Sequence, residues 1–297
     1  MIGPRSEAEK LLRRYRAQLV AQGNRASRNL LAIVERIERR IMRSLARQYG
    51  ERGITKASAS RVRAIANRIA LEADPEIAAW FHRVGPAAAT NGLLVQAEYL
   101  ATAARMQGWQ GLPYERVRGS FDAWQSGIDA GRLFNFGDSA RFEALKWQWT
   151  GYWMRTAEAL QDRFVEAAIK GESWKDLAKA SVEDLNTLGL RGRMNKDAFS
   201  DAFTRTKLTE ISNAASTGMA ADAGIALFAN LGIPDDRQSE ICAEASERDP
   251  MTLEEWDATD LGRPPRHVFN CRCLLLAQPS PTWWGGSENV EVMEAAA

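Results

Sequence analysis

The stretch RNLLAIVERIERRIMRSLARQY, residues 28–49, sets Leu30, Val34, Ile37, Ile41 and Leu45 three or four positions apart. Arg36, Arg39, Arg40, Arg43 and Arg47 fall between them. That spacing is the 3.6-residue period of an amphipathic helix with an apolar stripe and a basic outer face. Extended outward, the pattern predicts one long helix from Glu7 to Tyr49, or two separated near Gly23. The same reading across the chain predicts a mainly α protein: an elongated helical body followed by a small C-terminal α+β lobe with a short β-sheet.

Downstream, Asp74-Pro75 reads as an N-cap and first-turn proline for a short helix ending before Gly85-Pro86. A second helix is expected from Pro86 to Met106, and a third from Tyr114 to Leu133. Asp138 or Ser139 opens a helix that runs to Lys170 and stops at Gly171. Ser173 and Asp176 form an acidic variant of the capping box and restart a helix. A last long helix is expected from Asn195 to Ala223, ended by Gly224.

At residue 225 the pattern changes. IALFANLGIPDDRQSEIC, residues 225–242, opens on a strand-like apolar run. The span beyond it, through Asp260, is acidic and reads as a loop. VFNCRCLLLA, residues 268–277, reads as a second strand. The expected division is a helical body over 1–194, a C-terminal lobe over 195–280 and a tail over 281–297.

The 297 residues carry a net charge of +1, with basic residues concentrated in the first 66 and acidic ones near the back. No apolar run reaches the roughly 18–20 residues of a membrane span, and the first residues carry charges where a signal peptide needs an apolar stretch. A soluble protein made and kept in a cytoplasm, with no membrane partner, is therefore expected. Of the ten tryptophans, Trp147, Trp149 and Trp153 share one helical segment, where an indole cluster serves a core or an interface.

The chain's three cysteines are Cys242, Cys271 and Cys273, and His267 is one of only two histidines. If the two strands pair, all four converge. Three readings of that convergence stand: a structural zinc held by Cys242, His267, Cys271 and Cys273, buried thiols packed as small apolar groups, or a disulfide from Cys242. The arginine stripe at Arg36, Arg39, Arg40, Arg43 and Arg47 suits phosphates of DNA, an acidic protein surface, or water. No convergent set of polar groups suggests catalysis. STG at 216–218 falls in a helix, and Glu244 and Glu247 are three apart, which does not suit an ADP-ribosyltransferase.

The order TRTKLTEISNAASTG (204–218), DDRQSEIC (235–242) and PPRHVFNCRC (264–273) resembles the C-terminal region of phage head morphogenesis proteins, the Mu F-like minor head proteins. The matching residues are Thr204 to Lys207, then Asp235 or Asp236 with Arg237 and Cys242. Pro264 or Pro265 follows, with His267, Asn270, Cys271, Arg272 and Cys273. The resemblance spans roughly residues 140–277. Val268 and Phe269 stand where the family has a single proline, and Lys207 where an acidic residue is common. It implies a minor capsid protein of the virion, made in the host cytoplasm, with the portal protein and a major capsid or scaffolding protein as partners and packaged DNA as a further one. A virion-associated DNA-binding protein is the alternative, and a toxin-type enzyme a more distant one.

Overall fold

The computed structural model describes residues 4–50, 55–106, 112–133, 139–173, 177, 196–231, 239–264 and 273–278. It is mainly helical, with one small antiparallel sheet near the C-terminus. The elements are α1 (Pro4–Tyr49), α2 (Lys56–Leu71), α3 (Asp74–Met106), α4 (Leu112–Asp129), α5 (Ser139–Lys170), α6 (Lys196–Asp222), β1 (Leu227–Leu231), α7 (Glu240–Glu247), α8 (Leu253–Ala258) and β2 (Leu274–Gln278).

Helix α1 is continuous through Gly23, because a mid-helix glycine costs only about 1 kcal/mol and the flanking apolar stripe outweighs it. Leu30, Val34, Ile37, Ile41 and Leu45 are all buried, as the period requires. Helix α3 is a correction. The expected break at Gly85-Pro86 does not occur, and Pro86 lies inside one helix. A proline there forfeits one backbone bond, a cost of about 3 kcal/mol. Burial of Ile77 and Trp80 before it and Ala88, Ala89 and Leu93 after it offsets that cost. Helices α5 and α6 end where expected, at Gly171 and Gly224, both with positive φ (66° and 87°).

Two compact units emerge, each assembled from separated segments. One comprises residues 25–81 and 136–201, the other residues 1–24, 82–135 and 202–297. In the first, α2 lies along α5. Trp149 and Trp153 are buried and meet edge to face at 5.7 Å, and Tyr152 stacks on Phe199 at 3.9 Å. These two indoles therefore serve the core; the side chain of Trp147 lies outside the described residues. Lys196 bonds Glu38 at 3.3 Å, and burial pushes the Glu38 carboxyl up while this ammonium opposes the rise.

The second unit joins the two strands to the start of α1 and to α3, α4 and α6. β1 and β2 pair with Leu227 opposite Gln278 and Leu231 opposite Leu274. Burial alternates along β1, as in a strand covered on one face, whereas Leu274, Leu275, Leu276 and Ala277 of β2 are all buried. Cover on both faces explains the unbroken apolar run of β2. Leu274 and Leu276 pack with Leu11, Tyr15 and Val95.

The acidic span after β1 is not a loop throughout: it folds into α7 and α8. Ser239 caps α7 by accepting from the Cys242 N–H. Thr252 and Glu255 form a reciprocal capping box for α8, whose Trp256 is fully buried and donates to the Phe228 carbonyl at 2.8 Å. The T-x-x-E signature was present in the sequence, and acidity masked it. Thr252→Ala should lower stability by about 1 kcal/mol, read by denaturant unfolding.

The Thr252 N–H and hydroxyl hold the Glu255 carboxyl below its usual range, and Arg263 does the same for Asp257. A carboxyl whose folded pKa is depressed contributes stability above its unfolded value, and that contribution is lost as pH falls through the folded one. Protection of α8 amides should therefore weaken on acidification below about pH 4, whereas a pH-independent α8 in hydrogen exchange would refute the assignment.

Candidate functional site

The polar heart of the second unit is α6. Helices with one wet face carry their polar residues there, but α6 buries Thr204, Thr206, Thr209, Ser212, Asn213, Ser216 and Thr217. Such groups are as a rule hydrogen-bonded when buried; the Thr204 hydroxyl is the exception in this set, with no partner among the described residues. Ser212 Oγ donates to the Ala88 carbonyl at 2.8 Å and accepts from the Tyr15 hydroxyl. Burial pushes the Tyr15 phenol up, only partly opposed by the Ser212 bond. It thus remains a neutral donor. Lys207 is buried and bonds Glu210 at 2.6 Å.

Asn213 is the centre of the arrangement. Its Nδ2 donates to the Cys273 carbonyl at 2.9 Å and its Oδ1 accepts from the Leu275 N–H at 3.1 Å. One side chain thereby satisfies a donor and an acceptor on the edge of β2 that faces away from β1. Gln96 Oε1 continues the edge by accepting from the Ala277 N–H at 3.2 Å, and Gln278 Nε2 donates to the Tyr99 hydroxyl at 2.7 Å. Burial pushes the Tyr99 phenol up as well. Amides supplied by helices replace a third strand, and they close this part of the edge against strand addition.

Cys242, on α7, and Cys273, directly before β2, are buried thiols packed against each other. The Cys242 carbonyl accepts from Ser246 Oγ at 2.9 Å, and Ser246 Oγ in turn accepts from Asn230 Nδ2 at 3.0 Å, tying α7 to β1. His267 and Cys271, the other two proposed metal ligands, lie outside the described residues, as do Arg237, Asn270 and Arg272. Among the described residues no group of three His, Cys, Asp or Glu side chains is placed to hold a metal. Cys273 directly precedes β2, which begins at Leu274.

The arginine stripe lies on α1 in the other unit. Arg36 pairs with Glu76, Arg40 with Glu72 at 3.0 Å and Glu76 at 3.6 Å, and Arg39 with Glu35 at 4.0 Å. Arg43 and Arg47 are exposed. Part of the stripe is therefore neutralised by carboxylates of its own unit, a pairing the linear sequence does not reveal. These are solvent-facing pairs, of the kind that contributes at most about 1 kcal/mol.

Sequence reasoning missed Asn213, Gln96, Tyr99 and Gln278. The signal that pointed to the first was an amphipathic pattern absent from α6 despite its length, since a helix polar on every side needs internal partners. Among the described residues no helix is long and apolar enough to cross a membrane. No protein-family model, curated protein or solved structure matches the chain.

Proposed function

We propose that the chain is a minor head protein of a tailed bacteriophage, acting at the portal vertex during procapsid assembly and serving DNA packaging or delivery. One observation carries the reading beyond the motif order. The three motif segments meet: Asn213 of the first bonds the Cys273 carbonyl of the third, and Cys273 packs on Cys242 of the second. Cys242 and Cys273, both among the residues that carry the resemblance, thus belong to one folding framework tied to α6 by Asn213, in keeping with a structural role.

The test is co-purification with portal and coat proteins from assembling particles, with and without nuclease and at raised salt. Retention through both treatments is the expected result. Loss under nuclease would shift the function to DNA binding, with Arg43 and Arg47 the first residues to neutralise, because phosphate contacts are salt-sensitive. Absence from particles would remove the head-protein reading.

Under this reading zinc is the metal suited to the lobe, with Cys242 and Cys273 joined by His267 and Cys271, since a closed thiolate-rich site staples small folds. The purified protein should then contain stoichiometric zinc. Cys271→Ser should accelerate hydrogen exchange in β1 and β2 while sparing α2 and α5. Metal-free protein with unchanged exchange in this variant would make the cluster a pair of packed thiols.

A further inference from the structure

Within the unit that holds the sheet, α1, α3 and α4 leave an apolar groove of about 410 Å3. Each helix gives it one stripe of its surface: Leu11 and Tyr15 from α1, Leu94 and Glu98 from α3, Val117 and Phe121 from α4. Residues four apart lie on one helix face, so each wall is continuous. Leu94 is half exposed at the rim. Arg14 and Arg118 flank the opening, the first paired with Glu98 at 2.8 Å and the second reaching Asp122 only at 3.9 Å. Around Arg14 the charge is one-sided, since residues 10–18 hold Lys10, Arg13, Arg14 and Arg16 and no acid.

The same unit carries a matching projection. Helix α7, EICAEASE, buries Cys242 and Ala245 and leaves Ile241 40% exposed. Glu240, Glu244 and Glu247 are exposed beside it, on a helix with no basic residue. Glu244 is engaged by Arg248 at 2.8 Å, so Glu240 and Glu247 set the charge of this surface. The support is firm: Ser239 caps the helix, and Ser246 and Asn230 tie it to β1. An anchor already fixed in place loses little conformational freedom on binding. A single exposed isoleucine is ordinary in itself. Its meaning comes from the complement, an apolar side chain among carboxylates against an apolar groove among guanidinium groups. Ile241 does not line the groove of its own chain, so another copy must supply it.

We propose that the groove takes Ile241 from a second copy of this chain, with the Glu240 and Glu247 carboxylates of that copy facing Arg14 and Arg118. The charges orient the encounter and the apolar anchor supplies the affinity. A contact of this size stands at the low end of specific interfaces, so free chains associate weakly, and the contact strengthens where several copies are held close together. It stands whether or not the chain is a head protein.

The test is sedimentation velocity of the full chain from micromolar to near-millimolar concentration, for wild type, Leu94→Glu and Ile241→Asp. Both positions are exposed, so neither substitution threatens folding. Wild type should gain mass with concentration, less so at raised salt, and each variant should associate about tenfold more weakly or worse, as expected for loss of an anchor. Mixing the two variants is the decisive step. The Leu94→Glu copy keeps its isoleucine and the Ile241→Asp copy keeps its groove, so the mixture should regain a species of two chains that neither forms alone. A wild type that stays monomeric throughout would overturn the proposal. So would association that either variant leaves unchanged, or a mixture no heavier than its components.

Discussion

Gly92→Ala should cost about 3 kcal/mol or more, and in the extreme should prevent the second unit from folding. A Cβ built on Gly92 would lie 2.1 Å from the Ser212 carbonyl oxygen, 2.8 Å from its carbon and 2.9 Å from its Cα. All three are backbone atoms of α6. The obstacle cannot rotate aside as a side chain would, so α3 and α6 would have to separate by about 1 Å in an interior packed to crystal-like density. Ser212 resists that separation because its side chain is already bonded to Ala88 and Tyr15. Against the clash stands a gain of at most about 1 kcal/mol from replacing a mid-helix glycine.

Gly119 isolates the two effects. It too is helical, but nothing lies within 4 Å of its added Cβ, so Gly119→Ala should stabilise the protein by about 0.5–1 kcal/mol. Gly218 is intermediate: its Cβ would meet the Trp124 indole at 2.1 Å, a side chain whose Nε1 bond to Asp222 is at the surface and which can swing away. Urea unfolding of the three variants should rank them Gly119→Ala above wild type, then Gly218→Ala, then Gly92→Ala. A Gly92→Ala protein within 1 kcal/mol of wild type would mean that α3 and α6 do not cross so closely.

Asn213→Ala should cost about 3–5 kcal/mol. The truncation leaves the Leu275 N–H and the Cys273 carbonyl buried without partners, and each group stranded in this way costs about 1–3 kcal/mol, more than the net gain from the bond it lost. The loss should show first as faster amide exchange along β1 and β2.

Asn213→Asp is the more telling variant, because the carboxylate can still accept from Leu275 but presents an oxygen, in place of a donor, to Cys273. Protonation restores the donor. The buried acid therefore has a folded pKa above its unfolded value, and the native state holds more protons than the unfolded one across that interval. Stability should be greatest below the unfolded carboxyl pKa, about 4, and fall as pH rises toward the folded pKa. An Asn213→Asp protein as stable at pH 7 as at pH 4 would refute the two-bond clamp.

Much of the helical body was legible in the sequence. Leu30, Val34, Ile37, Ile41 and Leu45 announced α1 by spacing alone, and Gly171 and Gly224 marked helix ends by the freedom of glycine at positive φ. The two strands and their pairing were also expected, and with them the meeting of Cys242 and Cys273. α2 was not anticipated, its apolar positions being interleaved with basic ones in a short stretch.

Other features were settled by partners far along the chain. Pro86 reads locally as a helix breaker, yet α3 runs through it because the residues on both sides are buried. The acidic residues of 240–258 read as solvent-loving loop, yet Trp256 and two caps draw them into helices. Nothing local indicates that Asn213 serves a strand 60 residues later, or that Glu72 and Glu76 answer Arg36 and Arg40. Periodicity, caps and turns are properties of neighbours three or four positions apart, so the sequence by itself determined the helical class, most helix ends and the change of pattern at residue 225. Which buried polar group meets which, and which helix survives its proline, depended on contacts closed by folding, because only there does the cost of an unsatisfied or broken backbone bond find its compensation.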